Sequence, residues 1–351
     1  MPRWFLPLML CAASVLAGCS GGGRDSARTS STPNPTEELK VSASEWLTDF
    51  SRHTVPLSEF ESGGPGKDGI PSIDNPMFTN VSGTTYLGPR EPVIELVVNG
   101  EARAYPIQIL IWHEIVNDEL GSVPVAVTFC PLCNTALAFD RRAQGRELDF
   151  GTTGNLRNSD LVMYDRQSES WWQQFGGVAV VGRYAGTRLR QVPARIVAWS
   201  VFARRHPDGT VLARPLAHPT SQAELFLRPY GENPYPGYDD VSSPTVFPAE
   251  HADDTRLPAK ERVIYVEVGS EAIAVPLSVL ERREEMTVDV SGHELTVRLL
   301  GRVSSPLDSP DIGAGRSIAT AEVTENGRPV PFDQPFWFAV AAFRQDVRVV
   351  R

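Results

Sequence analysis

An internal repeat limits the folds that this chain can adopt. Residues 93–110 (VIELVVNGEARAYPIQIL) align without a gap with residues 263–280 (VIYVEVGSEAIAVPLSVL). Each copy predicts a β-hairpin, with its turn at Asn99-Gly100 or Gly269-Ser270, followed by a proline that opens a short helix. Apolar runs beyond both helices predict matching strands. We therefore expect an α+β fold, predominantly β, with two related β-rich halves from an internal duplication.

The second copy serves as an internal control for the first. A residue needed only for folding should tend to recur in both copies, as Glu114 does at Glu284. Other distinctive residues do not recur, which indicates an active first half, residues 37–255, and a diverged, supporting second half, residues 256–351. Divergence in packing alone would give the same contrast. The residues replaced in the second copy are His113, Asn117, Asp118 and Cys130, which align with Arg283, Thr287, Val288 and Leu300.

The N-terminus has the pattern of a lipoprotein signal peptide. A basic Arg3 precedes an apolar stretch over residues 4–15 and the sequence LAGC, which ends at Cys19. A transmembrane helix is the alternative, but the stretch is shorter than the ~20 residues that span a bilayer. The sequence thus predicts a signal peptide over residues 1–18 and a lipidated Cys19 that attaches the protein to the membrane.

The predicted anchor places the protein in the cell envelope. Ser20 follows the lipidated cysteine in place of an inner-membrane-retaining aspartate, which favours the outer membrane if the cell has two membranes. Residues 19–36 begin with the lipidated cysteine and are rich in Gly, Ser and Pro, so they predict a flexible tether. The net charge of −10 without a basic cluster argues against nucleic acid as a partner.

Two cysteines remain for the folded part, Cys130 and Cys133 in the sequence CPLC, because Cys11 leaves with the signal peptide and Cys19 carries the lipid. A disulfide between residues this close encloses almost no loop and stabilises little. A metal site or a redox-active dithiol is therefore favoured over a passive disulfide. Predicted strands on both sides of CPLC indicate a metal-binding knuckle rather than a thioredoxin-like helix start.

A knuckle with two sulfurs suits a soft or borderline ion, copper or zinc, once further ligands are added. His113 is the first candidate, in the helix-like stretch 113–118 just before the strand that ends at Cys130. His206 is the second, in the predicted turn His-Pro-Asp-Gly. A packing role for His113 and a solvated turn position for His206 are the alternatives.

A polar segment, residues 151–177, lies between short predicted strands and is rich in Gly, Asn, Ser and aromatic residues. Loops of this composition often carry binding residues. A second turn-dense loop, residues 63–76, contains Asp68 and Asp74, which either cover a site or are solvated carboxylates. The candidate binding residues of the first segment are Asn155, Asn158, Asp160, Tyr164, Asp165, Arg166, Trp172 and Gln173.

These motifs resemble those of the bacterial and archaeal family known as domain of unknown function 3179. The resemblance rests on AYPIQILIWHEIVND, VAVTFCPLCNTALAFDR and NSDLVMYDRQSESWWQQFGG, and it covers most of the chain after the tether. It departs at Phe129, where tyrosine is common, and at Asn134, where glycine is common. The resemblance implies a fold shared with envelope or secreted proteins and brings no established reaction with it.

Three functions are consistent with the sequence. The first is a copper or zinc site at Cys130 and Cys133, with His113 and His206 as further ligands. The second is an exchangeable dithiol that cycles with a partner oxidoreductase. The third is a non-catalytic surface module in which CPLC is structural. The absence of a P-loop, a GxGxxG unit and a GxSxG elbow argues against nucleotide and α/β-hydrolase chemistry.

Overall fold

β-Strands make up most of the regular structure in the computed structural model, which describes residues 35–215 and 228–351. The predicted signal peptide, Cys19 and most of the predicted tether lie outside the described residues. Among the residues that are described, no helix combines the length and apolar composition needed to cross a membrane.

Five sheets of three to five strands form the blades of a five-bladed β-propeller. The first sheet contains β1 Phe60–Ser62, β10 Phe150–Arg157, β11 Asp160–Asp165, β12 Trp171–Gln173 and β13 Val178–Val181. The second contains β5 Ile115–Leu120, β6 Val123–Cys130, β7 Thr135–Asp140 and β14 Gln191–Val192. The third contains β2 Phe78–Asn80, β3 Pro92–Val98, β4 Glu101–Pro106, β15 Ala194–Ala198 and β16 Thr210–Leu212.

The remaining elements complete the propeller. The fourth sheet contains β17 Val263–Val268, β18 Glu271–Pro276 and β23 Arg348–Val349. The fifth contains β19 Glu285–Val290, β20 His293–Ser304, β21 Ser317–Glu325 and β22 Arg328–Pro329. A two-stranded ribbon contains β8 Arg142–Ala143 and β9 Arg146–Glu147. The α-helices are α1 Ile107–His113, α2 Trp199–Arg205, α3 Leu277–Arg283 and α4 Trp337–Phe343. The 3₁₀ turns are Pro35–Glu38, Leu57–Glu59, Val81–Gly83, Phe175–Gly177 and Ile312–Ala314.

This architecture corrects the expectation of two halves. The blades draw strands from distant parts of the chain, and residues 35–351 cluster as one compact unit. For example, β16 pairs with β4 although more than a hundred residues separate them in sequence. A repeat in sequence therefore does not divide this molecule into two bodies, because strands from outside each repeat complete its sheets.

The aligned segments nevertheless have the same local structure. A hairpin, β3–β4 or β17–β18, leads through a proline into a seven-residue helix, as the sequence predicts. Each helix ends at the one recurring glutamate, and both Glu114 and Glu284 have a positive φ, 58° and 62°. The shared glutamate therefore marks a shared helix end.

The helix end also corrects one local prediction. Residues 114–118 are not helical, because α1 stops at His113 and β5 begins at Ile115. The left-handed conformation of Glu114 cannot continue a right-handed helix. The β-branched Ile115 and Val116 that follow favour a strand.

The two copies diverge where the cysteines lie. In the second copy β20 bulges between Leu299 and Gly301 and continues to Ser304. In the first copy β6 ends at Cys130 and the chain turns back at once into β7. The CPLC sequence thus replaces a longer hairpin with a tight turn, and this turn lies within the largest apolar cluster of the described chain.

An irregular segment, residues 228–262, runs from the end of the undescribed loop to β17 and contains no helix or strand. Its Asp239 is fully buried and accepts hydrogen bonds from Arg262 Nη2 and Arg316 Nη1, both at 2.7 Å, and from Ser305 Oγ. We call residues 228–262 the cover segment. The buried carboxylate ties it to the sheets beneath.

We expect Asp239→Ala to lower the free energy of unfolding by about 3–5 kcal/mol, because it leaves Arg262 as a buried charge without its partner. Denaturant unfolding of residues 35–351 measures this. Asp253→Ala, an exposed aspartate of the same segment, is the matched control and should change stability by no more than about 0.5 kcal/mol. Equal effects of the two substitutions would contradict the proposed anchoring role.

Candidate metal centre

The CPLC turn connects the end of β6 to the start of β7 in the second sheet, and this places both sulfurs inside the protein. Cys130 and Cys133 are 1% and 0% exposed, and both are free thiols. Asn134 closes the turn with a φ of 58°, a conformation that asparagine tolerates better than most residues. Its Nδ2 donates to Gln334 O at 2.8 Å, which fixes the turn against the chain before α4. The predicted order of a strand, the CPLC turn and a second strand is therefore present.

Asp160 is the third member of the group. It is the first residue of β11, directly after the hairpin turn at Asn158 and Ser159, and it is fully buried. The Cys133 thiol donates to Asp160 Oδ1 at 2.8 Å. One ligand atom from each of Cys130, Cys133 and Asp160 lies within 4.8 Å of the others. These three residues are positioned to bind a metal ion.

Hydrogen bonds from the first sheet hold the carboxylate of Asp160 in place. Its Oδ2 accepts from the backbone N of Phe175 at 2.8 Å and from Gln173 Nε2. Gln173, a predicted binding residue, thus acts on the group through Asp160. With both oxygens engaged, the carboxylate has a fixed orientation towards the sulfurs.

A second chain of hydrogen bonds fixes the Cys133 side. Thr135 Oγ1 lies 3.1 Å from Cys133 Sγ and donates to Gln174 Oε1 at 2.6 Å. Gln174 Nε2 donates in turn to Thr128 Oγ1 at 2.9 Å. Sequence reasoning missed these three residues, because a buried threonine or glutamine within a strand region carries no signal that separates it from an ordinary core polar group.

Burial and mutual repulsion disfavour the ionised forms of the acidic groups at this site. Burial raises the pKa of the Cys130 and Cys133 thiols, and the negative charge of Asp160 raises both further. Burial also raises the pKa of Asp160 to about 6. Two neighbouring carboxyl groups are affected in the same way. Burial and the charge of Asp160 raise the pKa of Glu114 to about 8 and the pKa of Asp333 to about 7. Five acidic groups share this interior, and burial together with their mutual repulsion disfavours their ionised forms.

The structure does not bring the two predicted histidine ligands into the group. His113 Nδ1 lies 2.7 Å from Pro71 O and its Nε2 lies 2.6 Å from Tyr230 Oη, so both ring nitrogens are engaged. Burial lowers its pKa to about 4, which keeps the ring neutral. His206 follows α2 in the predicted turn, and its Nε2 lies 3.6 Å from Glu95 Oε2. Asp160 takes the place that the sequence assigned to a histidine.

Tyr164 and Arg166, two further predicted binding residues, meet the loop of residues 63–76. Tyr164 Oη donates to Asp68 Oδ2 at 2.5 Å, and Arg166 Nη1 donates to the same oxygen at 2.8 Å. Arg166 also forms an ion pair with Asp74 at 3.2 Å. These contacts join the loop to the first sheet and are separate from the sulfur group.

The remaining predicted binding residues make contacts within the first sheet or with the cover segment. Asp165 accepts from Trp172 Nε1 at 2.9 Å and from the backbone N of Ser168 at 2.7 Å. Asn155 pairs with β1 as a strand residue, and Asn158 Oδ1 accepts from the backbone N of Glu250 at 3.0 Å. Of the eight predicted binding residues, Asp160 belongs to the sulfur group and Gln173 contacts it through Asp160.

The cover segment lies against both sides of the group. Tyr238 Oη donates to Leu132 O, inside the CPLC turn, at 2.9 Å. Ser159 Oγ, beside Asp160, donates to Phe247 O at 2.7 Å. The cover segment therefore closes the thiols and the carboxylate off from solvent.

Comparison with known proteins identifies a family for this chain. The family model described as "Protein of unknown function (DUF3179)" matches residues 67–347. A search of curated proteins and a search of solved structures gave no match. The matched range contains the CPLC turn, Asp160 and the cover segment.

Burial together with the raised pKa values predicts that Cys130 and Cys133 resist alkylation in the folded protein. At pH 8 we expect iodoacetamide to label them at least about 100-fold more slowly in folded residues 35–351 than after denaturation, because the thiolate is the reactive form. Mass spectrometry of the labelled peptides measures this. Leu47→Cys, at a position 89% exposed, is the control and should label rapidly. Rapid labelling of either native thiol would contradict the buried arrangement.

Proposed function

The chain belongs to the family described as protein of unknown function (DUF3179), and we propose that it is a lipid-anchored envelope protein that holds a zinc ion between Cys130, Cys133 and Asp160. The observation that carries the proposal is the buried meeting of two sulfurs and one carboxylate, with their ligand atoms within 4.8 Å of one another. Thiolate and carboxylate are both established zinc ligands.

Ligand type favours zinc over copper. Cu(I) prefers soft sulfur ligands, whereas the carboxylate of Asp160 is a hard ligand that zinc accepts alongside sulfur. The carboxylate is also held towards the sulfurs by Phe175 N and Gln173. A site built for Cu(I) alone would have no need of this oxygen.

Charge balance also favours zinc over copper. At pH 7 the two thiols are protonated and Asp160, with a pKa of about 6, is ionised, so the group carries a charge of −1. Zn²⁺ with two thiolates and one carboxylate also sums to −1, so zinc replaces two protons without adding buried charge. Cu(I) with the same three ligands sums to −2, which this acidic interior disfavours.

Distances support replacement of a proton by a metal. Two ligands at about 2.3 Å (sulfur) and about 2.1 Å (oxygen) from a tetrahedral zinc lie about 3.6 Å apart. The Cys133 Sγ and Asp160 Oδ1 atoms lie 2.8 Å apart with a proton between them. A movement of under ~1 Å therefore brings this pair of ligand atoms to the separation that a shared zinc ion requires.

Three protein ligands leave one position of a tetrahedral zinc open. Zinc of this kind lowers the pKa of a bound water and polarises carbonyl groups. Cys130, Cys133 and Asp160 hold the ion, while Thr135 and Gln173 orient its ligands. The backbone oxygen of Ser159, 3.9 Å from Cys130 Sγ, is one protein group that could close the fourth position and make the site structural.

The two other functions have less support. Dithiol exchange needs an accessible thiolate, whereas burial and Asp160 keep Cys130 and Cys133 protonated and shielded. A surface binding module needs free loop side chains, whereas Tyr164 and Arg166 are bound to Asp68.

We expect residues 35–351, purified without a histidine tag, to contain close to one zinc per chain by elemental mass spectrometry. Cys130→Ser and Asp160→Asn should each weaken zinc binding by at least about 100-fold, since loss of a direct ligand costs more than loss of an outer partner. His206→Gln is the control: it removes a histidine that lies outside the group and should leave the zinc content unchanged.

Calorimetry separates the possible outcomes. Titration of zinc at pH 7.5 in two buffers of different ionisation enthalpy should show release of two protons, one from each thiol. One copper ion per chain would mean that the same ligands hold another ion, and this would contradict the proposal of zinc. A folded protein that binds neither metal with micromolar affinity would contradict the metal site altogether.

The lipid anchor has its own test, since Cys19 lies outside the described residues. Cys19→Ser should abolish incorporation of labelled palmitate and move the protein from the membrane fraction to the soluble fraction, because two or more acyl chains are needed for stable anchoring. Cys11→Ser, within the predicted signal peptide, is the matched control and should keep both properties. Membrane attachment without Cys19 would contradict the anchor.

A further inference from the structure

A cavity of about 270 Å³ is open to small molecules on the side of the propeller where the first, second and fourth sheets meet. Its walls come from the 3₁₀ turn Phe175–Gly177, from β14, from β17 and from the chain after β22. Pockets that hold drug-sized molecules have volumes of roughly 300–1,000 Å³. This cavity therefore suits a ligand of one or two rings.

Aromatic rings form one wall of the cavity. Phe175, Tyr265 and Phe332 line it, and the ring centroids of Phe175 and Tyr265 lie 5.2 Å apart. The three residues are only 6–7% exposed, so packing against the protein fixes the positions of their rings. Fixed aromatic rings offer an apolar surface to the C–H groups of a cyclic ligand.

Three other side chains at the cavity have polar atoms without a hydrogen-bond partner in the described part of the chain. Glu267 Oε1 lies 3.5 Å from Arg188 Nη2, beyond the roughly 2.7–3.2 Å of an ordinary hydrogen bond. Arg188 uses its other nitrogen, Nη1, to donate to Gly176 O at 3.2 Å. Gln191 donates through Nε2 to Phe332 O at 3.4 Å, which leaves its Oε1 unused. Neither Glu267 Oε1 nor Gln191 Oε1 is among the enclosed polar atoms, so both reach accessible space.

The charges at the cavity are balanced. Glu267 forms ion pairs with Arg188 at 3.5 Å and with Arg344 at 3.1 Å. Arg344 pairs in turn with Asp346, so two positive and two negative groups sum to zero. Asp333 lines the cavity as well, but its unpaired Oδ2 is enclosed and cannot reach a ligand. A neutral ligand therefore fits this wall better than an ion, which would have no counter-charge.

We propose that this cavity binds a neutral sugar. A hydroxyl group both donates and accepts hydrogen bonds, so one hydroxyl fits between Arg188 Nη2 and Glu267 Oε1, and a second donates to Gln191 Oε1. The C–H groups of the sugar contact the three aromatic rings. A hydrocarbon of the same size would cover these polar atoms without pairing them, which is costly. The proposal is independent of the metal centre, because none of the three metal-binding residues lines the cavity.

The test uses the methyl glycosides of glucose, galactose, mannose and N-acetylglucosamine, which differ in the arrangement of their hydroxyl groups. Glucuronate and glucosamine are the anionic and cationic counterparts, and cyclohexylmethanol is the counterpart without ring hydroxyls. NMR titrations of residues 35–351 at pH 6 should show one or more glycosides that bind at least about 10-fold more tightly than all three counterparts. Burial raises the pKa of Asp333 to about 7, so at pH 6 this carboxyl is mostly protonated and does not bias the comparison.

Arg188→Ala should weaken binding of the preferred glycoside by about 10-fold or more, because it removes the hydrogen-bond donor at the cavity. The Arg188 side chain is 54% exposed, so this substitution should leave the fold intact. Arg183→Ala is the matched control and should keep the affinity, because Arg183 is an exposed arginine of the same loop between β13 and β14 and does not line the cavity.

Phe332→Leu adds a readout for the aromatic wall, and it should weaken binding of the glycoside by about 3-fold or more. Absence of binding by all four glycosides at about 10 mM would overturn the proposal. So would equal affinity for glucuronate, glucosamine or cyclohexylmethanol, or an unchanged affinity in folded Arg188→Ala.

Discussion

The hydrogen bond from the Cys133 thiol to Asp160 joins two blades at a point closed off from water. Cys133 belongs to the turn before β7 in the second sheet, and Asp160 begins β11 in the first. Burial of a carboxylate is costly unless its oxygens are hydrogen-bonded. The thiol, Phe175 N and Gln173 meet that requirement. Without a bound cation, the protons on the two thiols keep the buried negative charge of this group low. A metal ion that binds here has to displace these protons.

The second copy of the repeat supports the site from outside. It has no cysteine and extends its hairpin where the first copy turns. The chain after that hairpin returns to the CPLC turn through three hydrogen bonds: Asn134 Nδ2 to Gln334 O, Phe336 N to Cys133 O, and Ala136 N to Asp333 Oδ1. Residues 333–336 therefore hold the CPLC turn in place by hydrogen bonds, as a paired strand would. The same segment places the buried Asp333 against β7.

Local features were predictable from the sequence, and long-range ones were not. The two hairpins, the proline-led helices and the strand–CPLC–strand order follow from short-range patterns of turn and β-branched residues. The third ligand does not follow, since Asp160 is 27 residues from Cys133 and only the pairing of sheets brings them together. His113 looked suitable by sequence proximity, but the positive φ of Glu114 ends its helix and its ring bonds to Pro71 and Tyr230. The propeller was also beyond local reasoning, because strands such as β16 join a sheet from far along the chain.

The identity of a bound ion would decide how the candidate metal centre acts on its buried acidic neighbours. The charge of Asp160 adds to burial in raising the pKa of Asp333 and of Glu114. Exchange of two thiol protons for Zn²⁺ would leave the charge of Cys130, Cys133 and Asp160 unchanged, so the pKa values of these two neighbours would hardly change. Cu(I) with the same three ligands would make the group more negative by one charge and would stabilise the protonated forms of both neighbours. The acidic surroundings of the sulfurs therefore favour a divalent over a monovalent ion.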